Sequence, residues 1–252
     1  MTLDAQTILI VFVALQIGLL LFKKRARLWH YDSDKPYLWN KQRKQHMINQ
    51  TLLSLEQASD DKVRLYHFWF QVERLNRESI PGAFAELGVY RGETAHWLHI
   101  MAPRRALHLF DTFTGFDARD LGHESTQRKE YQPGYFSDTQ LTQVQQRLGN
   151  AANIHFHVGY FPESAQGLPE QHYALVHLDA DLYAPTLAAL QYFYPRLSPG
   201  GVLIVHDYNH IWEGVPRAVN QFAQGIPEAL IEVPDRQGSV MIVRQNRVHE
   251  SR

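Results

Sequence analysis

From Ala83 onward the chain alternates between strand-like and helix-like segments, and this order restricts the fold more than any other feature. The strand-like runs are Ala83 to Leu87, Ala106 to Phe110, Ile154 to Val158, Tyr173 to Leu178 and Val202 to Val205. Helical spacing intervenes at Thr94 to Met101 and Thr186 to Leu197. Strands separated by helices predict a parallel, doubly wound α/β sheet. The rhythm then changes. Ala229 to Val233 and Ser239 to Val243 are joined by Pro234-Asp235-Arg236-Gln237-Gly238, too short for a crossover helix, so these two runs form a hairpin. A helix over Val63 to Leu75 precedes the first strand, stopped by Ser79-Ile80-Pro81-Gly82. Phe116 to Gly149, rich in Gln and charge, reads as an insertion between strands that covers the site.

Ligands of such sheets bind beyond the carboxyl ends of the strands. Here those ends are acidic: Glu86 closes the first strand, Asp111 the second, Asp179 the fourth and Asp207 the fifth, while Gly159 closes the third. Four carboxylates on one rim must stay hydrated or find donors, which packing alone does not explain. The first turn runs Glu86-Leu87-Gly88-Val89-Tyr90-Arg91-Gly92-Glu93-Thr94. Gly88 allows close approach of a ligand, Gly92 relieves the helix start, and the amides there attract an anion. The spacing is E-x-G-x-x-x-G, not the G-x-G-x-x-G of a dinucleotide fold; it suits a carboxylate, with Glu86 available to a neighbouring cation. Asp111 has the acceptor geometry for a ribose diol, although a turn or cap role is the alternative. Gly159-Tyr160-Phe161 offers backbone and aromatic faces to a purine, or simply core.

His177-Leu178-Asp179-Ala180-Asp181 and Val205-His206-Asp207-Tyr208 carry the strongest signal. Asp179 and Asp181 fall on one side of an extended segment. With neighbouring strands about 4.8 Å apart, Asp179 and Asp207 can converge on one hard divalent cation. Such an ion lowers the pKa of a bound hydroxyl. Asp181 reads instead as a cap for the helix beginning near Pro185. His206 and His210, nearest the acidic rim, are the candidate proton acceptors, with Asp179 the third catalytic candidate.

ELGVYRGETA, HLFDTFTGF, HVGYFPES and LVHLDADLYAPTLAALQYFYPRLSPGGVLIVHDY together resemble the macrocin O-methyltransferase family, from about Pro81 to Val243. The resemblance implies a Rossmann-like class I methyltransferase sheet, mostly parallel with a C-terminal antiparallel hairpin. It also implies S-adenosyl-L-methionine as cofactor and magnesium held by Asp179 and Asp207. The cofactor-binding set becomes Glu86, Gly88, Tyr90, Gly92, Thr94, Asp111, Gly159, Tyr160, Phe161 and Asp179. The acceptor that the resemblance implies is a hydroxyl of a sugar or another small molecule or glycoconjugate. His206 departs from the family's pattern of two consecutive acids before the tyrosine, and imidazole is a poorer ligand for a hard cation. Two other readings stand beside this one, a non-catalytic membrane-tethered cofactor-binding module and a nicotinamide-dependent oxidoreductase.

Thr7 to Phe22 is apolar except for Gln16 and Gly18 and is followed at once by Lys23, Lys24, Arg25 and Arg27. This predicts an uncleaved membrane-anchor helix over residues 1–27, a juxtamembrane linker over 28–62 and a methyltransferase domain over 63–252. The basic flank would keep the domain in the cytoplasm. A net charge of -1, from 25 Lys and Arg against 26 Asp and Glu, gives no field for nucleic acid, so none is expected as a partner. Without cysteine there is no disulfide and no thiolate metal site. The sequence leaves room for a homo-oligomer.

Overall fold

A computed structural model describes residues 5–33, 35–124, 128–149 and 151–245. The chain divides into two compact units, residues 1–49 and 50–252.

In the first unit, α1 spans Ala5–Ser33 and α2 spans Tyr37–Lys44. The apolar residues of α1 from Leu9 to Phe22 are largely exposed. Among the described residues no helix is long and apolar enough to cross a membrane, which corrects the expected transmembrane anchor. The apolar part of α1 ends at Phe22 and Lys23 follows, so it falls short of the roughly 20 apolar residues that a spanning helix needs. The cytoplasmic placement of the remainder rested on that anchor and falls with it.

The second unit opens with α3 (Gln50–Ala58) and α4 (Lys62–Arg77), then β1 (Ala83–Leu87), α5 (Glu93–Met101) and β2 (Leu107–Asp111). It continues through α6 (Leu141–Leu148), β3 (Ile154–Val158), β4 (Tyr173–Leu178), α7 (Tyr183–Phe193), β5 (Leu197–Val205), α8 (Gly214–Ala223), β6 (Ile231–Val233) and β7 (Ser239–Val243). The seven strands pair in the order β3-β2-β1-β4-β5-β7-β6. Strands β1 to β5 are parallel; β7 runs antiparallel to both β5 and β6. The order reverses at β1 and β4, which opens the rim of the sheet where those two strands end.

Alternation along the strands gives each helix layer its floor. Ala85 and Leu87 of β1, Val176 and Leu178 of β4 and Leu203 and Val205 of β5 point into one core with Ala189, Leu190 and Phe193 of α7 and Val215 and Val219 of α8. The alternate residue His177 points the other way, edge-on to Phe68 of α4 with ring centroids 5.0 Å apart. Leu65, Phe68, Val72 and Leu75 of α4 are almost fully buried, as i, i+3, i+4 spacing dictates. Asp61 caps that helix by accepting from the Arg64 amide at 3.0 Å.

Gly88 is obligatory at the end of β1. Its φ is +84, and a Cβ there would lie 1.9 Å from the Asp179 carbonyl oxygen, so only glycine lets β1 and β4 run out side by side.

Candidate active site

A cavity of about 620 Å³ opens where β1, β2, β4 and β5 end, the size range of small-molecule and cofactor sites. Every site residue expected from sequence lines it: Glu86, Gly88, Tyr90, Thr94, Asp111, Gly159, Tyr160, Phe161, Asp179, His206, Asp207 and His210 are in its wall, except Gly92. That residue is the left-handed N-cap of α5 just behind the turn, where a Cβ would meet Val144 Cγ1 at 2.7 Å.

Asp111 is more constrained than its expected ribose contact requires. Its Oδ2 accepts from the amides of Val89 at 2.7 Å and Tyr90 at 2.8 Å, and its Oδ1 from the amide of Phe113 at 2.7 Å. Two of these bonds hold the β1–α5 turn to β2, and the third closes the turn that follows Asp111 itself. Tyr90, at φ 48, bonds through its hydroxyl to Asp138 at 2.8 Å, and the Thr139 hydroxyl donates to the Tyr90 carbonyl. Residues of the insertion thus clamp the turn from outside. Tyr160 and Phe161 divide the two roles left open for them. Phe161 is core, stacked on Phe193 at 5.6 Å. Tyr160 faces the cavity, donates to Asp120 at 2.7 Å and lies under Arg119; burial and the Asp120 carboxylate push its hydroxyl up to about 12.

Across the strand ends runs one chain of polar contacts. Glu86 Oε1 is 2.9 Å from His177 Nδ1, and Glu86 Oε2 is buried without a hydrogen bond. Burial, reinforced by the charge of Asp179, holds the Glu86 carboxyl well above its ordinary range. Burial and then Arg64 hold His177 well below its own, so in both groups burial disfavours the charged form. Arg64 Nη2 reaches Thr94 Oγ1 at 3.0 Å, His177 Nε2 at 3.3 Å and Asp179 Oδ2 at 2.9 Å. On its other oxygen Asp179 meets His206 Nδ1 at 2.9 Å, and the same nitrogen is 3.1 Å from Asp207 Oδ2. Asp207 Oδ1 is 3.4 Å from His210 Nδ1.

Charge orders this chain. Burial would raise the Asp179 carboxyl, but His206 and Arg64 overcome it and keep the group well below the usual carboxylate range. Burial would lower His206, but Asp179 prevails and carries the imidazole up to about 9. Burial and the charges of Asp179 and Asp207 raise the Asp181 carboxyl well above its usual range. Asp181 does not cap α7: the N-cap is Leu182, and it has no side-chain cap bond. Asp181 and Asp207 both stand at left-handed φ, 60 and 61, a region that Asp tolerates better than most residues.

Two features escaped the sequence reading. Arg64, on a helix to which no chemistry was assigned, is the cation inside the acidic rim. Trp212, next to the β5 end, is 5% exposed and packs against Phe116, Tyr131, Tyr135 and Phe136 of the insertion, so the expected cover is an aromatic wall.

Asp179, His206 and Asp207 each present a ligand atom within 4.8 Å of the others. Two carboxylates and an imidazole at that spacing have the donor chemistry for a divalent cation.

Known proteins share this architecture and sequence pattern. The sequence model of the macrocin-O-methyltransferase (TylF) family matches residues 29–241. Mycinamicin III 3''-O-methyltransferase of Micromonospora griseorubida is 28% identical over 191 residues, 69% of this chain and 74% of that protein. A tetracenomycin-C 4'-O-methyltransferase of Streptomyces olivaceus, named for a substrate with a dimethoxy-rhamnosyl group, is 29% identical over 58% of this chain and 60% of its own length. The solved structure of the O-methyltransferase NovP superposes with a TM-score of 0.63 at 25% identity, covering 73% of this chain and 81% of that one. The chain belongs to the macrocin O-methyltransferase family, and it is a class I S-adenosylmethionine-dependent O-methyltransferase.

Proposed function

We propose that the protein transfers the methyl group of S-adenosylmethionine to a hydroxyl of a sugar carried by a small molecule or glycoconjugate, with a divalent cation held by Asp179 and Asp207. The observation that carries this reading is the convergence of Asp179, His206 and Asp207 within 4.8 Å, in the same cavity as the Glu86–Thr94 turn. The amides of that turn and the start of α5 receive the cofactor's carboxylate, and Glu86, with a buried unbonded Oε2, receives its ammonium. Asp111 and Tyr160, both in the cavity wall, would bound the adenosine end.

A cation bound between the carboxylates supplies positive charge beside the acceptor oxygen and lowers the pKa of its hydroxyl. His210 takes the proton: its Nδ1 is 3.4 Å from Asp207 Oδ1 and its side chain is 31% exposed, open to a bound acceptor. His206 is unsuited to that task, because Nδ1 faces both carboxylates and Nε2 is buried. The aromatic wall of Phe116, Phe136 and Trp212 excludes water and offers apolar faces to a sugar ring. The rhamnosyl group in the substrate of the Streptomyces olivaceus relative supports the acceptor class.

Asp179→Asn and Asp207→Asn test the reading together with a chelator. Each should reduce methyl transfer by at least about a hundredfold while S-adenosylhomocysteine binding changes far less. Full turnover in metal-free buffer would overturn the cation's part in it.

A further inference from the structure

We infer that His206 is itself a metal ligand through Nδ1, and that its imidazole sets the site for a first-row transition ion such as Mn2+ in place of the magnesium that the family resemblance implies. The inference deepens the reading above and rests on its cation-holding carboxylates. Consecutive residues leaving a strand point to opposite faces, so His206 and Asp207 should not both reach the rim. They do so because Asp207 adopts φ 61, which turns its carboxylate back beside the imidazole. The His206 amide is pinned to the Leu178 carbonyl at 2.9 Å, which fixes the ring over the end of β4, next to Asp179.

The separations from Nδ1 are hydrogen-bond lengths that also match neighbouring metal ligands, with the ion taking the place of the Nδ1 proton. Nδ1 is 2.9 Å from Asp179 Oδ1 and 3.1 Å from Asp207 Oδ2. Neighbouring ligands at right angles around an ion with bonds of about 2.1 Å stand about 3 Å apart. Asp207 is 2% exposed, and its second oxygen is 3.4 Å from His210 Nδ1, longer than a good hydrogen bond. Magnesium favours oxygen donors and keeps its waters; imidazole favours transition ions, among which Mn2+ is the one that also matches the two carboxylates. Manganese(II) is the probe because its paramagnetism reports the ligand atom directly.

The full chain, stripped with chelator, is titrated with Mn2+ under electron paramagnetic resonance, and pulsed spectra are searched for a ¹⁴N coupling from coordinated imidazole. The expected result is one Mn2+ per chain with that coupling, displaced by Mg2+ only at a tenfold or greater excess. His206→Gln should abolish the coupling and weaken Mn2+ at least tenfold; His206→Asp should bring the two affinities together. Calorimetric binding of S-adenosylhomocysteine is measured on each protein. Bound Mn2+ without nitrogen coupling, coupling that survives His206→Gln, or equal affinity for Mn2+ and Mg2+ overturns the inference. Absence of Mn2+ binding with cofactor binding intact also overturns it while leaving the methyltransferase reading in place. Loss of cofactor binding in the unaltered chain would remove both.

Discussion

Arg64 Nη2 lies 2.9 Å from Asp179 Oδ2, which ties a helix before the sheet to the end of its fourth strand. The pair is largely buried, with side chains 13% and 22% exposed, and the same guanidinium nitrogen also bonds to Thr94. Arg64→Ala therefore leaves Asp179 with His206 as its remaining cationic neighbour and frees the α4–α5 contact. Denaturant melts should show a loss of about 1–3 kcal/mol, with methyl transfer reduced more than cofactor affinity. An unchanged turnover rate would mean that Arg64 only packs.

Asp111→Asn is close to isosteric, but it turns an amide NH2 toward the amides of Val89 and Tyr90 or of Phe113, where only an acceptor fits. Stability and S-adenosylhomocysteine affinity should fall together, stability by about 1–3 kcal/mol. Thermal melts and calorimetry on the same preparation check this. Lost affinity with an unshifted melt would make Asp111 a ligand contact and not a brace for the turn.

Gly88→Ala should be among the most damaging single substitutions in the sheet, at about 3 kcal/mol or more, because it combines left-handed backbone with a Cβ 1.9 Å from the Asp179 carbonyl. Denaturant unfolding of this variant beside Gly149→Ala is the measurement. Gly149 also has positive φ but has nothing within 4 Å of a Cβ, so its substitution should cost markedly less.

A second group of titrating side chains lies away from the cavity, at the β2–β3 edge. His108 Nδ1 is 3.0 Å from His157 Nε2, and its ring is 4.8 Å from that of His155. Burial, then the two neighbouring imidazoles, lowers His108 to about 4 from 6.5. The unfolded chain therefore binds a proton that the folded chain refuses. This stability is fully present above pH 6.5 and is lost as pH falls toward 4. Melting temperature should drop over that window, and His108→Phe should flatten the decline; parallel curves for the two proteins would contradict the assignment.

Much of the fold was legible because the strands state themselves. Ile154–Val158, Tyr173–Leu178 and Ser239–Val243 are short apolar or alternating runs between turn residues, and each forms a strand with those bounds. The terminal hairpin followed from its short connection. Local pattern failed where tertiary contact decides. Arg64 and Asp179 are 115 positions apart, so no spacing rule links them. Asp181 precedes a helix as a cap would, yet Leu182 takes the cap position and Asp181 turns into the cavity. The shared side of His206 and Asp207 depends on one left-handed residue, which alternation does not foresee. The apolar run before Lys23 suggested a spanning helix, but among the described residues none is long and apolar enough.

The central claim, that this rim transfers a methyl group to a sugar hydroxyl, is tested most directly by tracing the methyl itself. The full chain is incubated with S-adenosylmethionine labelled in the methyl carbon and a panel of deoxysugar glycosides, with and without chelator, and products are mapped by carbon NMR. The account predicts label in a methyl ether on one sugar hydroxyl, at least about a hundredfold less of it with chelator or with Asp179→Asn, and little with His210→Gln. Label on a non-sugar hydroxyl, or undiminished transfer in chelator, would contradict it.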